Sequence, residues 1–175
     1  MDLRTDRCTL RPFRPADAAS LARHANNRKV WLDLRDRFPH PYTAADADAF
    51  IARVAAESPT TSFAVDVGGE AVGGVGLVVG HDVERRSAEI GYWLGEAHWG
   101  RGVATAAVRA ATAYAFQDLG LLRVFALPFA HNLASARVLE RAGYRREGTL
   151  RRSAVKDGRV LDQHLYAALR DEPGA

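Results

Sequence analysis

Two glycines flank an arginine in the stretch WGRGVATAA at residues 99–107, directly before a run that is typical of a helix. The first turn of a helix has backbone amides without partners and the positive end of the helix dipole. Because glycine has no β-carbon, an anion can approach those amides closely. The stretch predicts a phosphate-binding loop with Arg101 at its edge, although a tight connection between a strand and a helix would use the same glycines.

Two other phosphate-binding motifs can be compared with this loop. The pattern G-x-x-x-x-G-K-[ST] of nucleoside triphosphatases does not occur in the chain. The letters GRGVAT resemble part of a dinucleotide fingerprint, but Thr105 stands where the third small residue belongs. The next predicted strand, LLRVFAL, has no acidic residue at its end to bind a ribose. Neither of these two nucleotide sites is therefore expected.

The residue patterns on both sides of the loop predict strands and helices. Alternating β-forming residues predict strands, and runs that begin at a capping residue and end at glycine predict helices. The predicted strands are TLRPFR up to Arg14, a hairpin around Gly68 and Gly69, SAEIGYWL, LLRVFALPF and a hairpin around Asp157 and Gly158; the predicted helices begin near Pro15, Thr43, Gly102 and Asn132. We expect a mixed α/β fold in which about four helices accompany a mostly antiparallel twisted sheet of about seven strands.

The composition predicts one soluble domain over residues 1–175, with 47% apolar and 26% charged residues. No run approaches the roughly 18 apolar residues of a membrane span, and the polar first residues are unlike a signal peptide. The single cysteine, Cys8, excludes an internal disulfide and favours the cytoplasm. The six histidines form no metal-binding motif, so no metal is expected.

A second motif, HNLASARVLERAGY at residues 131–144, follows the next predicted strand. Together with WLGEAHWGRGVA it resembles the GNAT superfamily of N-acetyltransferases, in which a Q/R-x-x-G-x-G/A loop precedes the central helix. Trp99 stands at the Q/R position and Ala104 at the last one. The stretches AEIGYWLG and LRDRFPHPYT are similar to those of the Rim-type subgroup, which acetylates protein N-termini and assorted amines.

The resemblance implies acetyl-coenzyme A as the donor and a primary amine as the acceptor. The cofactor would lie in a cleft between two splayed parallel strands, AEIGYWL and LLRVFAL. Backbone groups near Trp93 and Leu94 would pair with its pantetheine arm, and Asn132 would cap the following helix with a pantetheine contact as a further role. Its pyrophosphate would be held by the loop residues Trp99, Gly100, Arg101, Gly102, Val103, Ala104 and Thr105.

The resemblance also implies roles in catalysis. Glu89 matches the position of a family general base, with a surface carboxylate as the alternative. Asp162 is a second candidate for the base, although a salt bridge to an arginine explains it more simply. Many relatives have a tyrosine as the general acid at the position of Leu139, and its absence here leaves Ser135 as the proton donor. An ordinary helix serine that bonds locally is the alternative for Ser135.

The resemblance implies that the loop LRDRFPHPYT at residues 34–43 forms a wall of the acceptor site, with Phe38, His40 and Tyr42 as contacts. The alternative is a connecting loop whose aromatic side chains, Phe38 above all, cover the core. The resemblance to the Rim-type subgroup favours a protein or peptide α-amine as the acceptor, and the lower pKa of an α-amine also requires less of a weak base than lysine would. Three other functions remain open: acetylation of a small amine such as a polyamine or aminoglycoside, acyl-coenzyme A binding without catalysis, and nucleic-acid binding through scattered arginine pairs. The last is disfavoured because such pairs are usually a solvated surface. A homodimer is also left open.

Overall fold

The computed structural model describes residues 1–171, which form one sheet of eight strands with helices on both of its faces. The strands are β1 (Leu3–Arg4), β2 (Thr9–Arg11), β3 (Ser62–Val67), β4 (Glu70–Val79), β5 (Ser87–Leu94), β6 (Arg123–Ala126), β7 (Arg145–Lys156) and β8 (Arg159–Leu169). The α-helices are α1 (Ala18–Ala25), α2 (Arg28–Trp31), α3 (Ala44–Val54), α4 (Val103–Gln117) and α5 (Leu133–Arg141).

The strand order in the sheet is β1-β2-β3-β4-β5-β6-β8-β7. Neighbouring strands run antiparallel except for β5 and β6, which are parallel and are joined through α4. The expected mixed α/β fold with a mostly antiparallel sheet is confirmed. The hairpin predicted at Asp157 and Gly158 is present, and both residues have the positive φ that a type I′ turn requires.

Among residues 1–171, the short elements that the sequence patterns missed include one strand and one α-helix. Strand β1 has only two residues, too few to alternate, and is defined by its pairing with β2. Helix α2 is a single turn that begins where the Asn27 side chain accepts a hydrogen bond from the Lys29 amide at 2.9 Å. The first predicted strand was too long, because the chain turns at Pro15 into a short 3-10 helix.

Each face of the sheet has its own core. Helix α4 packs on one face through its buried small residues, including Ala107, Val108 and Ala111, which allow the helix backbone to approach the strands. Helices α1 and α3 pack on the other face around Leu21 and Ile51. Alternation along β5 therefore directs consecutive side chains into two different layers.

A buried ion cluster fixes the second layer to the edge of the sheet. Both terminal nitrogens of Arg11 donate to the Asp17 carboxylate at 2.8 Å, and its Nε donates to Asp66 at 2.7 Å. Burial would raise the pKa of Asp17, but its bonds from Arg11 and the Arg14 amide lower it. Because Asp17 immediately precedes α1, the cluster sets where that helix begins.

No helix among residues 1–171 combines the length and the apolar composition needed to cross a membrane. The same residues contain no group of three or more His, Cys, Asp or Glu side chains arranged to hold a metal ion.

Candidate active site

The parallel strands β5 and β6 separate after three pairs of residues. Pairing runs from Ser87 with Arg123 to Glu89 with Phe125, whereas β5 continues to Leu94. The chain beyond β6 turns toward β8 instead, where the His164 amide donates to the Pro128 carbonyl at 3.0 Å. The edge of β5 beyond Glu89 therefore faces a gap rather than another strand. An extended molecule rich in amide groups could pair with such an edge.

The glycine loop lies where β5 ends and α4 begins. Gly100 and Gly102 have φ values of +72° and +77°, in the left-handed region that favours glycine. A β-carbon at either position would meet no atom within 4 Å, so the space beside the loop is open. Gly102 caps α4 without a side chain. The first-turn amides of α4 therefore have no partner within the helix and face a position that an anion can reach.

Trp99 fixes this loop to the end of β5. Its indole Nε1 donates to the Leu94 carbonyl at 2.8 Å, while the side chain stays 45% exposed. His98, one residue earlier, has a buried Nδ1 without a hydrogen-bond partner. Its pKa is lowered by burial first and then by the nearby His24 and Arg101. The loop thus has one fixed anchor and one buried polar atom available for a further hydrogen bond.

Ser135 lies near the open end of β5, on the α4 side of the sheet. The Asn132 side chain accepts a hydrogen bond from the Ser135 amide at 3.0 Å, which confirms the predicted helix cap. The Ser135 hydroxyl is 2.7 Å from the phenol oxygen of Tyr92. Burial raises the pKa of Tyr92 to about 12, so its phenol stays protonated at neutral pH. Sequence reasoning missed Tyr92, whose only signal was its place three residues after Glu89.

Two residues in or just after helix α5, Leu139 and Tyr144, belong to the core. Leu139, at the family's tyrosine position, is fully buried. Tyr144 is also buried, and its hydroxyl is 2.6 Å from that of Thr112. Neither side chain is positioned to transfer a proton in the gap.

Glu89 lies on the opposite face of β5, at the last position that pairs with β6. Its neighbours Ala88 and Ile90 are in the α4 core, so alternation directs Glu89 toward the layer of α1 and α3. The side chain is 27% exposed, and one carboxylate oxygen accepts a hydrogen bond from Arg35. Arg35 was not among the predicted site residues, because it lies 54 positions away in a loop and no local pattern links the two.

Asp162 has a different environment from the one expected. One of its carboxylate oxygens accepts a hydrogen bond from the Arg152 amide at 2.7 Å, rather than from an arginine side chain. Arg152 has a φ of +52° and lies in an irregular part of the β7–β8 pairing. The carboxylate therefore stabilises a bulge in the hairpin, beside an open groove lined by Arg151 and Thr149.

The three residues expected to contact the acceptor differ in exposure. His40 is exposed and stacks on Trp31, with ring centroids 5.6 Å apart. Phe38 is partly buried and packs against Tyr42 and Trp93. Tyr42 belongs to the core beside α1 and α3, so it offers little surface to an acceptor. The sequence could not predict which of the three side chains is exposed, because all three have aromatic rings.

A cleft of about 250 Å³ lies between the loop at residues 34–43 and the β7–β8 hairpin. Its walls are residues 34–36 of the loop, residues 153–156 of β7, Gln163 of β8 and Phe129 beyond β6. Arg35 lines the cleft and also contacts Glu89, so one side chain links the cleft to the last residue of β5 that pairs with β6.

The geometry agrees with comparisons to known proteins. A family model described as an acetyltransferase (GNAT) domain matches residues 7–145. The chain is 31% identical over 174 residues to the N-acetyltransferase p20 of Bacillus licheniformis, and the aligned residues cover 97% of each chain. It is 33% identical over 100 residues to the ribosomal-protein-serine acetyltransferase of Escherichia coli, a match that covers 55% of each chain.

The solved structure of Mycobacterium smegmatis RimJ in complex with CoA-disulfide has a TM-score of 0.84 and 29% sequence identity, over 96% of this chain and 84% of that chain. The expected resemblance to Rim-type acetyltransferases and the expected enzyme class are therefore confirmed. Because the family model spans well over half of the sequence and a relative matches almost all of it, this chain belongs to the GNAT family of acetyltransferases.

Proposed function

We propose that this enzyme transfers an acetyl group from acetyl-coenzyme A to the α-amine of a polypeptide. The observation that carries the proposal is the gap between β5 and β6, with Glu89 on one face and the Ser135–Tyr92 pair on the other. The relative from Escherichia coli is named for a ribosomal-protein serine, which supports a protein acceptor. A cytoplasmic location is part of the proposal, since the one cysteine is a free thiol.

The residues present fit acetyl-coenzyme A as the donor. The unpaired edge of β5 suits the amides of the pantetheine arm. The open glycines and the first-turn amides of α4 suit a pyrophosphate, and the exposed Arg101 adds a positive charge beside them. The bound thioester supplies an activated acetyl carbonyl.

Glu89 and Ser135 have separate roles in the proposed reaction: Glu89 accepts the proton that the nitrogen loses, and Ser135 stabilises the leaving thiolate, which then takes a proton from solvent to become the free thiol. The neutral amine nitrogen attacks the thioester carbonyl carbon, the carbon–sulfur bond breaks and an amide forms. The nitrogen gives up one proton, which Glu89 accepts. Ser135 donates a hydrogen bond to the leaving thiolate, and the protonated phenol of Tyr92 orients the serine hydroxyl. We assign the base to Glu89 rather than Asp162, because Glu89 lies on β5 where the gap begins, whereas Asp162 lies on β8 and binds the backbone of a bulge in the β7–β8 hairpin.

A panel of acceptors tests this proposal through the release of free coenzyme A thiol. The panel contains hexapeptides that begin with Ser or Ala, the same peptides with a blocked N-terminus, spermidine and kanamycin. We expect turnover with the free peptides and none with the blocked ones. Faster turnover of spermidine or kanamycin would move the acceptor to the small amines. Binding of acetyl-coenzyme A without thiol release from any mixture would indicate a binding module.

Two substitutions at one glycine test the pyrophosphate site. Acetyl-coenzyme A should raise the Tm of the wild type, because it binds only the folded state. Gly102→Glu adds bulk and a negative charge beside the amides of α4 and should abolish this rise. Gly102→Ala has the same positive-φ strain without the charge, and should keep most of it. An unchanged rise in folded Gly102→Glu would show that the pyrophosphate binds elsewhere.

A further inference from the structure

The β7–β8 hairpin contacts the loop at residues 34–43, here called the acceptor loop, through a buried lysine. The side chain of Lys156, at the end of β7, is 2% exposed, and its Nζ lies 2.8 Å from the Asp36 carboxylate. The same Nζ lies 3.7 Å from the centroid of the Trp31 ring, a cation–π contact. Lysine is almost never buried to this extent unless it is paired. The two contacts on the loop side offset the cost of removing this ammonium from water.

The position of this contact relates it to the acceptor site. Asp36 and Lys156 line opposite walls of the cleft of about 250 Å³ between the loop and the hairpin. Arg35, the residue before Asp36, lines the same cleft and reaches Glu89. A change at Lys156 would therefore move both the cleft wall and the guanidinium that contacts the proposed base.

A second ion pair joins the same hairpin to helix α2, and it is much more exposed. Arg28 of α2 contacts Asp157 at 2.6 Å, with side chains that are 57% and 42% exposed. Exposed pairs of this kind contribute little to stability because water and salt screen them. The buried Lys156 contact is the stronger constraint on the loop.

We propose that Lys156 is a positioning residue for the acceptor, which acts by fixing the loop at residues 34–43 against the hairpin so that the acceptor cleft keeps its shape. The inference rests on the proposed function, since it takes this cleft as the acceptor site. Lys156 touches neither the donor site nor the proposed proton-transfer groups. Its loss should weaken acceptor binding and leave donor binding nearly unchanged.

Hydrogen exchange in the unliganded protein tests the positioning directly. The loop amides of Leu34, Phe38 and Tyr42 donate hydrogen bonds at 2.9–3.1 Å. In Lys156→Met, we expect these amides to exchange at least about tenfold faster, while those of α4 keep their rates, as in a local opening. Unchanged loop rates, or faster exchange throughout the chain, would overturn the inference.

Kinetics then tests the consequence for the reaction. With the panel acceptor of highest kcat/KM, Lys156→Met should raise the acceptor KM at least about tenfold, while the Kd of acetyl-coenzyme A from calorimetry stays within about twofold. Asp36→Asn removes the same contact from the other side and should also raise the acceptor KM. Because the Asp36 side chain is 75% exposed, we expect this variant to fold even if Lys156→Met does not. An equal change in KM and Kd would overturn the inference.

A double variant and a control sharpen the result. Lys156→Met with Asp36→Asn should raise KM no further than the more damaging single change, because both remove one contact. Arg7→Met removes the exposed Arg7–Asp6 pair between β1 and β2, outside the donor site and the cleft, and should leave loop exchange and acceptor KM unchanged. If no panel member turns over, the proposed function fails, whereas unchanged loop exchange overturns the role of Lys156 alone.

Discussion

At the residue scale, each proposed catalytic side chain has a partner that belongs to another part of the chain. Ser135 of α5 bonds to Tyr92 of β5, and Glu89 of β5 accepts from Arg35 of the acceptor loop. The first partner keeps a protonated phenol beside the hydroxyl. The second places a cation at the carboxylate that the acceptor amine must reach. These partners make the two roles separately testable.

Ser135→Ala should lower kcat by at least about tenfold, or about 1.4 kcal/mol in the barrier. The KM for acetyl-coenzyme A should change little, because the thiolate develops mainly in the transition state. Tyr92→Phe keeps the serine hydroxyl without its partner and should cause a smaller loss. Steady-state kinetics at saturating acceptor measures both. A kcat for Ser135→Ala within about twofold of wild type would show that another group stabilises the thiolate.

Glu89→Gln removes the proposed base while keeping the shape of the side chain. Both enzymes use only the neutral amine, so kcat/KM of each should fall below the α-amine pKa of about 8. The variant should be slower by at least about tenfold throughout, because its amide cannot accept the proton that the nitrogen loses after the attack. Profiles of kcat/KM between about pH 6 and pH 9.5 measure this. Profiles that differ by less than about twofold would contradict the base assignment.

At the element scale, buried contacts decide where the helices lie relative to the gap. The Arg11 cluster joins β2 and β3 to the start of α1, and α1 and α3 form the layer beneath Phe38 and Tyr42. In β4, a β-carbon at Gly73 would lie 2.3 Å from the Trp93 carbonyl, so this glycine allows β4 and β5 to approach closely. The acceptor side of the site therefore depends on contacts several strands away.

Arg11→Met should lower the free energy of unfolding by about 3–5 kcal/mol at neutral pH, because it leaves buried Asp17 without its cation. The pKa of Asp17 is lowered in the folded state, so its contribution is present above the unfolded pKa of about 3.9 and is lost as the pH falls through the folded value. The difference between wild type and variant should therefore shrink below about pH 4.

Urea unfolding at several pH values measures this difference. Arg7→Met removes an ion pair with Asp6 whose side chains are 59% and 76% exposed, and it should leave the midpoint nearly unchanged. A loss of stability in Arg11→Met that is equal at acid and neutral pH would contradict the charge argument.

At the scale of the whole molecule, positive charge is concentrated toward one end of the sheet. Residues 141–170 contain eight Arg or Lys residues and three Asp or Glu residues, whereas the net charge of the whole chain is +3. Most of these residues lie in β7 and β8, and β7 is an edge strand. Arg151 and Arg152 are exposed beside the groove at Asp162. Such a surface should attract an acidic acceptor before it reaches the cleft.

Salt should therefore affect acidic acceptors more than neutral ones. For two seryl hexapeptides that differ only in distal Asp or Gly residues, kcat/KM of the acidic peptide should fall more steeply between about 0.05 and 0.3 M NaCl, because exposed charges are screened. Steady-state assays at several salt concentrations measure both slopes. Parallel curves for the two peptides would show that the arginines do not attract the acceptor.

The sequence by itself was sufficient for the family, the main elements and the glycine loop. Gly102 predicted the start of α4, Asn132 predicted the cap of α5, and Asp157 with Gly158 predicted a hairpin. These features are local, because the required φ, hydrogen bond or turn is set by residues within a few positions of one another. The order and spacing of such motifs carried the resemblance to the GNAT superfamily.

Only the tertiary structure decided which side chains meet. The Arg35–Glu89, Tyr92–Ser135 and Lys156–Asp36 contacts each join residues that are at least 43 positions apart. Burial also separated Tyr42, which belongs to the core, from the exposed His40 two residues earlier. Residue type and periodicity report on one element at a time, whereas these contacts depend on the order of strands in the sheet and the packing of helices on each face. The partners of the proposed catalytic residues are therefore a property of the assembled fold.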